Sequence, residues 1–389
     1  MRVNIIDPGC VSASSHHHPI NLGLLAFCEA RAIEVRLLVN QKADPTIAST
    51  PNTETVFTNG IVYNRPEDEL FMFYEMYSHA AEFARELSDA TKSSLGLGDT
   101  FVLHTVTASQ LLGLSIWLKS IPIRDMHIKV VLRFPAEFRL EGPRAKLNVA
   151  FYKYVFDVLE KNARDRVAIF ADSDALTESF QKRYAVPVAS SPLPIEYFHE
   201  PIKKQSAKGN CITFVYAGES RNEKGFHLLG EAFEKTLNTY PDVSFRIQAT
   251  DFDASKLGWP KVVLQRTEII TGNLGQPDFQ AFLLTGDVVL VPYDPHEYTY
   301  RTSHIFAEAV GLGLPVITSA SSWMASEFKK FNLAPGVLMS DFTVPALTES
   351  MLTVINDLDA FTLSAQAGAD AWRARQNFQS FARTVLGIE

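Results

Sequence analysis

Short apolar runs alternate with longer amphipathic stretches along the chain, and this alternation predicts the fold class. The runs at 3–6, 35–39 and 167–171 have strand length and polar flanks, which is typical of strands buried on both faces of a parallel sheet. The stretches at 20–30 and 145–164 carry apolar residues at helical spacing. Strands that alternate with helices predict an α/β fold with helix-covered parallel sheets.

The same alternation resumes in the second half of the chain and indicates a second domain. An apolar run at 212–216 precedes an amphipathic stretch at 226–240, and 389 residues are more than one ordinary core requires. The proline-rich stretch at 190–201 and the polar stretch at 203–210 form the predicted linker. We therefore expect one domain over 1–200 and another from 201 onward.

The stretch at 287–318 has the order strand, polar loop, helix and strand, which is a βαβ unit. Its helix is predicted to begin near Ser303 and to end at Gly311 and Gly313. Ligands of such sheets bind at the carboxyl ends of strands, where a helix N-terminus favours phosphate. The side chains at this place are those of Tyr300, Arg301, Thr302, Ser303 and His304. Glu308, just over one turn into the helix, is placed to accept hydrogen bonds from sugar hydroxyls beside that phosphate.

A second candidate element follows the strand at 212–216. Gly218 lets the backbone turn tightly, and Arg221 and Lys224 come before Gly225 in the same loop. Two cations close together suit a diphosphate, because they neutralise the charge that grows on a departing group. The alternative is a solvated surface loop.

Two polar residues end strands of the first domain. His104 follows the buried run that begins at Asp99, and Arg133 ends the run at 130–132. Both stand where an α/β sheet places ligand-binding groups. The alternatives are a structural histidine and a salt bridge between Arg133 and Glu137.

The loop after the first strand is rich in serine and histidine. It carries Ser12, Ser15, His16 and two further histidines, His17 and His18. Three interpretations stay open: a solvated loop, a loop that contacts substrate, and a metal site. A metal site would need ligands from elsewhere, because adjacent residues rarely converge on one ion.

Three further predictions concern individual elements. The stretch at 53–64 has the pattern of a hairpin or strand pair, and 262–264 that of a short strand. The helix predicted at 67–87 carries five aromatic residues, which we interpret as core packing, with acceptor contact as the alternative. Those residues are Phe71, Phe73, Tyr74, Tyr77 and Phe83.

Composition narrows the class of protein. The net charge of −8 argues against a general nucleic-acid surface, and the three scattered cysteines show neither a disulfide framework nor zinc spacing. The N-terminal segment does not have the pattern of a signal peptide, and no apolar run reaches transmembrane length. Asp172 and Asp174 have the spacing of a metal-binding Asp-x-Asp pair, but Ser173 or Asp174 is better interpreted as a helix cap.

The segment at 303–317, SHIFAEAVGLGLPVI, resembles the donor-site signature of retaining GT-B glycosyltransferases, especially family four. Glu308 matches the family's second glutamate, which holds the ribose of a nucleotide sugar. Tyr300 stands where the first glutamate usually is, and 300–303 is similar to a tyrosine–arginine–serine version in some branches. The loop at 218–225 is similar to the family's glycine–arginine–lysine–glycine element, although its arginine comes three positions after the glycine.

The resemblance implies two Rossmann-like domains that face a cleft, with the acceptor on the side of 1–200 and the donor on 201–370. A last helix at 371–389 would pack back on the first domain through Trp372, Phe378 and Phe381. Backbone groups between Thr271 and Leu274 would pair with the nucleotide base. Ser15, His16 and Arg133 would lie on the acceptor side.

The resemblance also implies a reaction. A sugar, expected to be a hexosyl group, would move with retention from a UDP- or GDP-sugar to the hydroxyl of a saccharide or lipid-linked acceptor, in polysaccharide or glycoconjugate synthesis. His104, Arg221, Lys224 and Glu308 would be the catalytic residues, with no metal, no cofactor and no nucleic acid. The expected location is cytoplasmic, with peripheral association at the inner membrane face left open.

Two rival hypotheses remain. A nucleotide-sugar epimerase would need a pair of acid–base carboxylates, and the sequence offers no clear pair. A non-catalytic relative that binds a nucleotide sugar or a partner protein is compatible with the loss of a glutamate at Tyr300.

Overall fold

A computed structural model describes residues 2–13, 15–61, 67–92, 95–121, 125–163, 165–202, 211–249, 258–330 and 336–388. The chain divides into two compact units. Unit 1 comprises Met1–Pro194 and Phe378–Glu389, and unit 2 comprises Ile195–Asn377. The predicted linker segment 203–210 and the end of the predicted strand pair, 62–64, lie outside the described residues.

Unit 1 is built on a seven-stranded sheet with the order β3-β2-β1-β4-β5-β6-β7, and all of its pairings are parallel. Its strands are β1 (Arg2–Asp7), β2 (Glu34–Asn40), β3 (Thr53–Phe57), β4 (Asp99–Leu103), β5 (Met126–Leu132), β6 (Val167–Ala171) and β7 (Val188–Ser190). Its helices are α1 (His17–Glu29), α2 (Pro45–Ala48), α3 (Glu69–Thr91), α4 (Ala108–Ser120), α5 (Gly142–Ala163), α6 (Asp174–Tyr184) and α14 (Phe378–Leu386).

Unit 2 is built on a six-stranded parallel sheet with the order β10-β9-β8-β11-β12-β13. Its strands are β8 (Ile212–Ala217), β9 (Val243–Ala249), β10 (Thr267–Thr271), β11 (Val288–Val291), β12 (Val316–Ser319) and β13 (Gly336–Met339). Its helices are α7 (Phe226–Thr239), α8 (Lys261–Gln265), α9 (Gln276–Leu283), α10 (His304–Gly311), α11 (Trp323–Lys330), α12 (Val344–Asn356) and α13 (Leu358–Arg375). The two sheets confirm the predicted α/β class.

Each unit has its own apolar core between its sheet and its helices. In unit 1, Val3, Leu24 and Leu37 are buried together with Phe381 of α14. A Cβ at Gly23 would lie 2.4 Å from Cζ of Phe378, so α1 and α14 approach closely where α1 lacks a side chain. In unit 2 the rings of Phe233 and Phe245 stack 3.8 Å apart.

The strand predicted at 262–264 is wrong, because this segment is the helix α8. Pro260 precedes the helix with φ −55°, and only Val263 of the short helix is buried. Val262 and Leu264 are exposed, so their apolar side chains mimic a buried strand in the sequence. The sheet strand begins further on, at Thr267.

The segment predicted as one last helix, 371–389, contains the end of α13 and the whole of α14. Gln376, with φ −95° and ψ 78°, ends α13, and α14 begins at Phe378. Trp372 therefore belongs to α13 in unit 2, where its Nε1 donates to the carbonyl oxygen of Ala307 at 2.9 Å. Phe378 and Phe381 lie in α14 in unit 1.

The prediction that the aromatic residues of α3 form core is wrong for four of the five. Phe71, Phe73, Tyr74 and Tyr77 are all exposed, at 47–66%, and Phe83 is buried. The buried stripe of α3 runs instead through Met72, Met76, Ala80, Phe83 and Leu87. Apolar residues cover both faces of this helix, so periodicity alone did not show which face is inside. Among the described residues, no helix combines the length and hydropathy needed to cross a membrane.

Trp372→Phe is expected to loosen α10. The substitution keeps an aromatic ring against Phe306 but removes the donor to Ala307 and some buried volume, at a cost of about 1–3 kcal/mol. Hydrogen–deuterium exchange should become faster in peptides from α10 and stay unchanged in β1 and β2.

Trp117→Phe is the matched control, since Trp117 is equally buried but lies in unit 1 and donates to Thr91. Its effect should be confined to unit 1. Unchanged exchange in α10 of Trp372→Phe would show that this hydrogen bond does not hold the helix.

Candidate functional site

The N-terminus of α10 is formed as the sequence predicts. β11 ends at Val291, and Ser303 caps the helix by accepting a hydrogen bond from the Phe306 N–H at 3.2 Å. The first turn holds no acidic side chain. The N–H groups at the start of a helix and its positive dipole end favour negative charge, so this turn is a candidate site for an anion.

The loop from Gly218 to Gly225 lies against this turn. A Cβ at Gly218 would be 3.1 Å from both Ile305 Cδ1 and Lys224 Nζ, which places the lysine beside the first turn of α10. Gly225 has φ +71°, and a Cβ there would stand 2.1 Å from the carbonyl oxygen of Pro292. Asp294 N–H also donates to the Glu223 carbonyl at 2.9 Å, so the loop is tied to the segment after β11.

The two cations of this loop are held by carboxylates that the sequence analysis did not single out. Arg221 pairs with Glu219 at 2.5 Å and with Glu223 at 2.9 Å, and Lys224 Nζ lies 3.5 Å from Glu219. Burial lowers the pKa of Lys224 to about 8, although Glu219 acts in the opposite direction. An anion at this loop would therefore compete with Glu219 for both cations.

Two buried tyrosines lie beside these charges and were also missed. The rings of Tyr293 and Tyr298 are 4.5 Å apart, and Lys224 Nζ lies 5.9 Å from the centre of the Tyr293 ring. The Arg301 guanidinium lies over Tyr298 at 4.4 Å and pairs with Glu297 at 3.4 Å. Contacts of this kind orient cations without neutralising them.

Glu308 is a buried carboxyl with an unused oxygen. Only 5% of the residue is exposed, and its Oε2 has no hydrogen-bond partner in the described part of the chain. Burial raises its pKa to about 8, and a hydrogen bond from Gln280 opposes this shift. Gln280 is oriented by Phe198 N–H, which donates to its Oε1 at 2.9 Å, and by its own donation to the Glu196 carbonyl.

The segment predicted to pair with a base lies at the end of β10. Thr271 is exposed and Leu274 is half-buried. Gln248 connects this segment to the cation loop, because its Nε2 donates to Gly272 at 2.5 Å while Gly218 N–H donates to the Gln248 main-chain oxygen at 3.0 Å. Tyr300, Thr302 and His304 are partly exposed around the start of α10.

In unit 1, the predicted site residues His104 and Arg133 contact each other, and His104 also contacts Asp7 and Asn21. His104 is fully buried, with Nε2 3.1 Å from Asp7 Oδ2 and 3.0 Å from Asn21 Oδ1. Arg133 Nε donates to the His104 carbonyl oxygen at 2.8 Å. Because His104 is fully buried, the structure gives no support to the predicted direct contact between His104 and substrate.

The salt bridge between Arg133 and Glu137, which was the alternative interpretation, is replaced by other pairings. Arg133 lies 3.9 Å from the buried carboxylate of Asp172, whereas Glu137 pairs with Arg183. Ser173 caps α6 by accepting from Leu176 N–H, as predicted, which leaves Asp172 to face Arg133.

Within the serine and histidine loop, the three histidines have different environments. His17 is buried, with Nδ1 2.8 Å from Asp7 Oδ1, and His16 is exposed with its ring 4.4 Å from that of His17. Ser15 Oγ donates to the Ser12 carbonyl. The ligand atoms of Asp7, His17 and His104 all lie within 4.8 Å of one another, so the partners from elsewhere that a metal site would need are present. Asp7 was not predicted, because in the sequence it looks like the last residue of an ordinary strand.

Two Rossmann-like units on parallel sheets, with the last helix of the chain in the first unit, define the GT-B class of fold. Solved structures of this class match the whole chain. Sucrose-phosphate synthase from Thermosynechococcus elongatus is 13% identical with a TM-score of 0.69, and the match covers 100% of this chain and 98% of that one.

Two further similar structures are those of a glycosyltransferase and of a protein in complex with UDP. WaaG, a glycosyltransferase involved in lipopolysaccharide biosynthesis, is 15% identical with a TM-score of 0.60, and the match covers 99% and 100% of the two chains. HepE of Anabaena, in complex with UDP, is 12% identical with a TM-score of 0.64, over 100% and 99%. No family model and no curated protein matches the chain. The likeness therefore establishes the GT-B fold.

Glu308→Gln is expected to stabilise the protein near pH 7.5. The pKa of Glu308 is about 8 in the folded state and about 4.3 when unfolded. Between these values the folded state keeps a proton that the unfolded state loses, so stability falls as pH rises through the window. Glutamine does not ionise, and the gain should be on the order of 2 kcal/mol, or about 4–8 °C in midpoint.

The measurement is the thermal midpoint of the wild type and of Glu308→Gln from pH 4.5 to 8.5. The difference should shrink towards pH 4.5. Glu231→Gln, at an exposed position that pairs with Lys235, is the control and should change little. If Glu308→Gln is instead less stable than the wild type at pH 7.5, an interaction of the carboxyl group must stabilise the folded state by more than its burial destabilises it.

Proposed function

We propose that the protein is a glycosyltransferase that moves a hexosyl group from a nucleotide diphosphate sugar to an acceptor hydroxyl. The observation that most supports this is a convergence within unit 2: the cations Arg221 and Lys224, the first turn of α10 and the buried carboxyl of Glu308. The cations and free N–H groups suit two phosphates. The unused oxygen of Glu308 suits the hydroxyls of a ribose.

The same groups would assist the chemistry. Breaking the bond between the sugar and the diphosphate leaves a growing negative charge on the departing oxygen. Arg221, Lys224 and Arg301, together with the dipole of α10, are groups that stabilise such charge without moving far. We propose that the reaction needs no divalent metal for this reason.

The donor side of the proposal is unit 2, and the proposed base-binding segment is Thr271–Leu274. We propose UDP as the first nucleotide to test, because the similar HepE structure contains UDP. Glu308, with Gln280 behind it, would hold the ribose. Tyr300, Thr302, Ser303 and His304 would contact the donor around the start of α10.

The acceptor side of the proposal is unit 1, with Ser15, His16 and Arg133 on that side and with His104 as a catalytic residue. We propose that the acceptor is a saccharide or a lipid-linked saccharide, in polysaccharide or glycoconjugate synthesis. The similar protein WaaG, a glycosyltransferase involved in lipopolysaccharide biosynthesis, supports this class. Retention at the anomeric carbon and a cytoplasmic location, with peripheral membrane association, complete the proposal as implications of the family resemblance.

A nucleotide panel tests the donor site. UDP, GDP, ADP and TDP are each added to the protein without metal and with magnesium, and the thermal midpoint is recorded. One nucleotide should raise the midpoint without metal, because a ligand that binds the folded state stabilises it by mass action. Lys224→Ala should abolish that rise, since it removes a mostly buried cation of the loop, whose side chain is 13% exposed.

Lys235→Ala is the matched control, at an exposed lysine of the same unit that pairs with Glu231. It should keep the full shift. No response to any nucleotide, or an equal response in Lys224→Ala, would overturn the donor site as assigned.

Glu219→Gln should strengthen nucleotide binding near pH 7. The carboxylate of Glu219 contacts both Arg221 and Lys224, so a diphosphate must displace it. Because Glu219 is half-exposed, the gain should be modest, about 2–5-fold in Kd. The gain should disappear above pH 8, since the pKa of Lys224 falls further without this partner.

Isothermal titration with UDP at pH 7.0 and 8.5 measures this, or titration with whichever nucleotide responds in the panel. Glu234→Gln, on α7 outside the loop, is the control. Weaker binding by Glu219→Gln at pH 7.0 would show that Glu219 supports the cations rather than competing for them.

A further inference from the structure

The first two turns of α3 present an exposed aromatic face. One stripe along the helix has residues at positions i, i+3, i+4 and i+7, which are Leu70, Phe73, Tyr74 and Tyr77. All four are exposed, and Leu70 keeps 82% of its surface. The ring of Phe71, which is also exposed, lies 6.4 Å from that of Tyr74 and widens the stripe. The core of unit 1 does not account for these side chains.

The opposite side of α3 is fixed against α4. Met72, Met76 and Ala80 are fully buried there. The two helices approach so closely that a Cβ at Gly113 of α4 would lie 2.6 Å from the carbonyl oxygen of Ala80. A rotation of α3 that buried the aromatic face would expose Met72 and Met76, so the gain and the loss of buried apolar surface would be similar. The aromatic face therefore stays at the surface in a single copy of the chain.

The exposed face continues onto α5. Phe73 of α3 contacts Phe151 of α5 edge to face, with ring centroids 6.1 Å apart. One turn further along α5, Tyr154 is 58% exposed. We refer to the exposed residues of both helices as the aromatic patch, and all of them lie in unit 1. Its members are Leu70, Phe71, Phe73, Tyr74, Tyr77 and Tyr154.

The size of the aromatic patch suits a protein–protein interface. Its five aromatic residues are about half exposed, and with Leu70 they present on the order of 600–700 Å², since a large aromatic residue has roughly 150–250 Å² of surface. The largest apolar patch of a typical monomer is about 300–600 Å². A stable complex buries about 800 Å² on each partner. The aromatic patch and a polar rim around it reach that area.

The two helices that line the aromatic patch carry opposite charge. The segment 67–77 contains no basic residue and four acidic ones, Glu67, Asp68, Glu69 and Glu75. The first three turns of α5, residues 142–153, contain no acidic residue and three basic ones, Arg144, Lys146 and Lys153. A two-fold axis that sets α3 of one copy against α5 of another therefore brings acidic residues to basic ones twice.

The same charges disfavour a lipid surface as the occupant of the aromatic patch. Helices that lie on membranes carry lysine and arginine on their polar face, and anionic headgroups attract such residues. α3 instead has five acidic residues and one basic residue along its length. An anionic bilayer would repel the helix that contributes most of the patch.

We propose that the aromatic patch is the interface of a symmetric dimer of this chain, in which α3 of each copy packs against α5 of the other. The same surface is used by both copies, so the aromatic side chains form the centre of the contact and the charged residues form its rim. The whole interface belongs to unit 1. The dimer therefore does not depend on the proposed function.

Analytical ultracentrifugation of the full chain tests the interface. The wild type should be a dimer at about 10 µM, because interfaces of standard size give micromolar or tighter dissociation constants. Leu70→Glu and Tyr74→Glu should each raise the dissociation constant at least about tenfold, since each places a charge in the centre of the contact. Both positions are exposed in a single copy, so both variants should fold as the wild type does. Leu363→Glu is the matched control, at a residue of α13 in unit 2 that is 67% exposed, and it should leave the dimer intact.

Two charge-reversal variants test the pairing of α3 with α5. One combines Glu67→Lys with Glu69→Lys, and the other combines Lys146→Glu with Lys153→Glu. Each variant alone should dimerise more weakly than the wild type, because both of its α3–α5 contacts lose their attraction. An equimolar mixture should dimerise more tightly than either variant alone, since the unchanged α5 of one copy then meets the unchanged α3 of the other.

Several outcomes would contradict the dimer. A wild type that remains a monomer up to about 100 µM would overturn it, since interfaces of standard size bind far more tightly. Dimerisation of Leu70→Glu and Tyr74→Glu equal to that of the wild type would also overturn it, as would a mixture no tighter than its components. A monomeric wild type that sediments with vesicles of phosphatidylcholine and phosphatidylglycerol, with sedimentation lost in Tyr74→Glu, would make the patch a membrane surface instead.

The nucleotide-induced thermal shift separates this proposal from the proposed function. The donor groups lie in unit 2, so the shift in Leu70→Glu and Tyr74→Glu should equal that of the wild type. A wild type that binds no nucleotide contradicts the proposed function, while sedimentation still decides whether the chain is a dimer.

Discussion

The close approach between the Gly218–Gly225 loop and the segment after β11 is the constraint on which the candidate donor site depends. The carbonyl oxygen of Pro292 lies where a side chain of residue 225 would begin, so the loop fits only with a glycine in a left-handed conformation. That fit places Lys224 beside Ile305 in the first turn of α10. Two segments almost eighty residues apart in sequence thereby present cations and free N–H groups to one place.

Two buried carboxyl groups, those of Asp7 and Glu308, differ in the hydrogen bonds that compensate for their burial. Burial alone would raise the pKa of Asp7, but His17 and His104 and their hydrogen bonds hold it well below its usual range, so the carboxylate keeps its charge. Glu308 receives a single neutral donor, Gln280, and its pKa rises to about 8. A carboxyl left in that state is ready for a hydroxyl or cation from a ligand, whereas Asp7 has no capacity to spare. Both oxygens of Asp7 are therefore engaged in hydrogen bonds, whereas Oε2 of Glu308 has no partner in the described part of the chain.

Much of the fold could be predicted from the sequence, because short apolar runs of a parallel sheet and capped helices leave local signals. The start of a helix near Ser303, and a cap at Ser173 or Asp174, could be predicted from the sequence. The wrong predictions have a common cause. Tertiary packing determines which apolar residues are buried, and a local sequence pattern does not. The exposed Val262 and Leu264 imitate a strand, and α3 has apolar residues on both faces. Asp7 and Gln280 act through partners distant in sequence, which no single-chain pattern reveals.

Tyr300 is the main departure from the family pattern, and the structure suggests how the site accommodates it. A glutamate there would add a negative charge to a segment that already includes Glu297, which pairs with Arg301. Glu219, one residue after Gly218, supplies an additional carboxylate that contacts both Arg221 and Lys224. Negative charge is thus present beside Arg221 and Lys224, on the half-exposed side chain of Glu219. With Tyr300 in this position, the carboxylates beside the candidate cations are those of Glu219, Glu223 and Glu297.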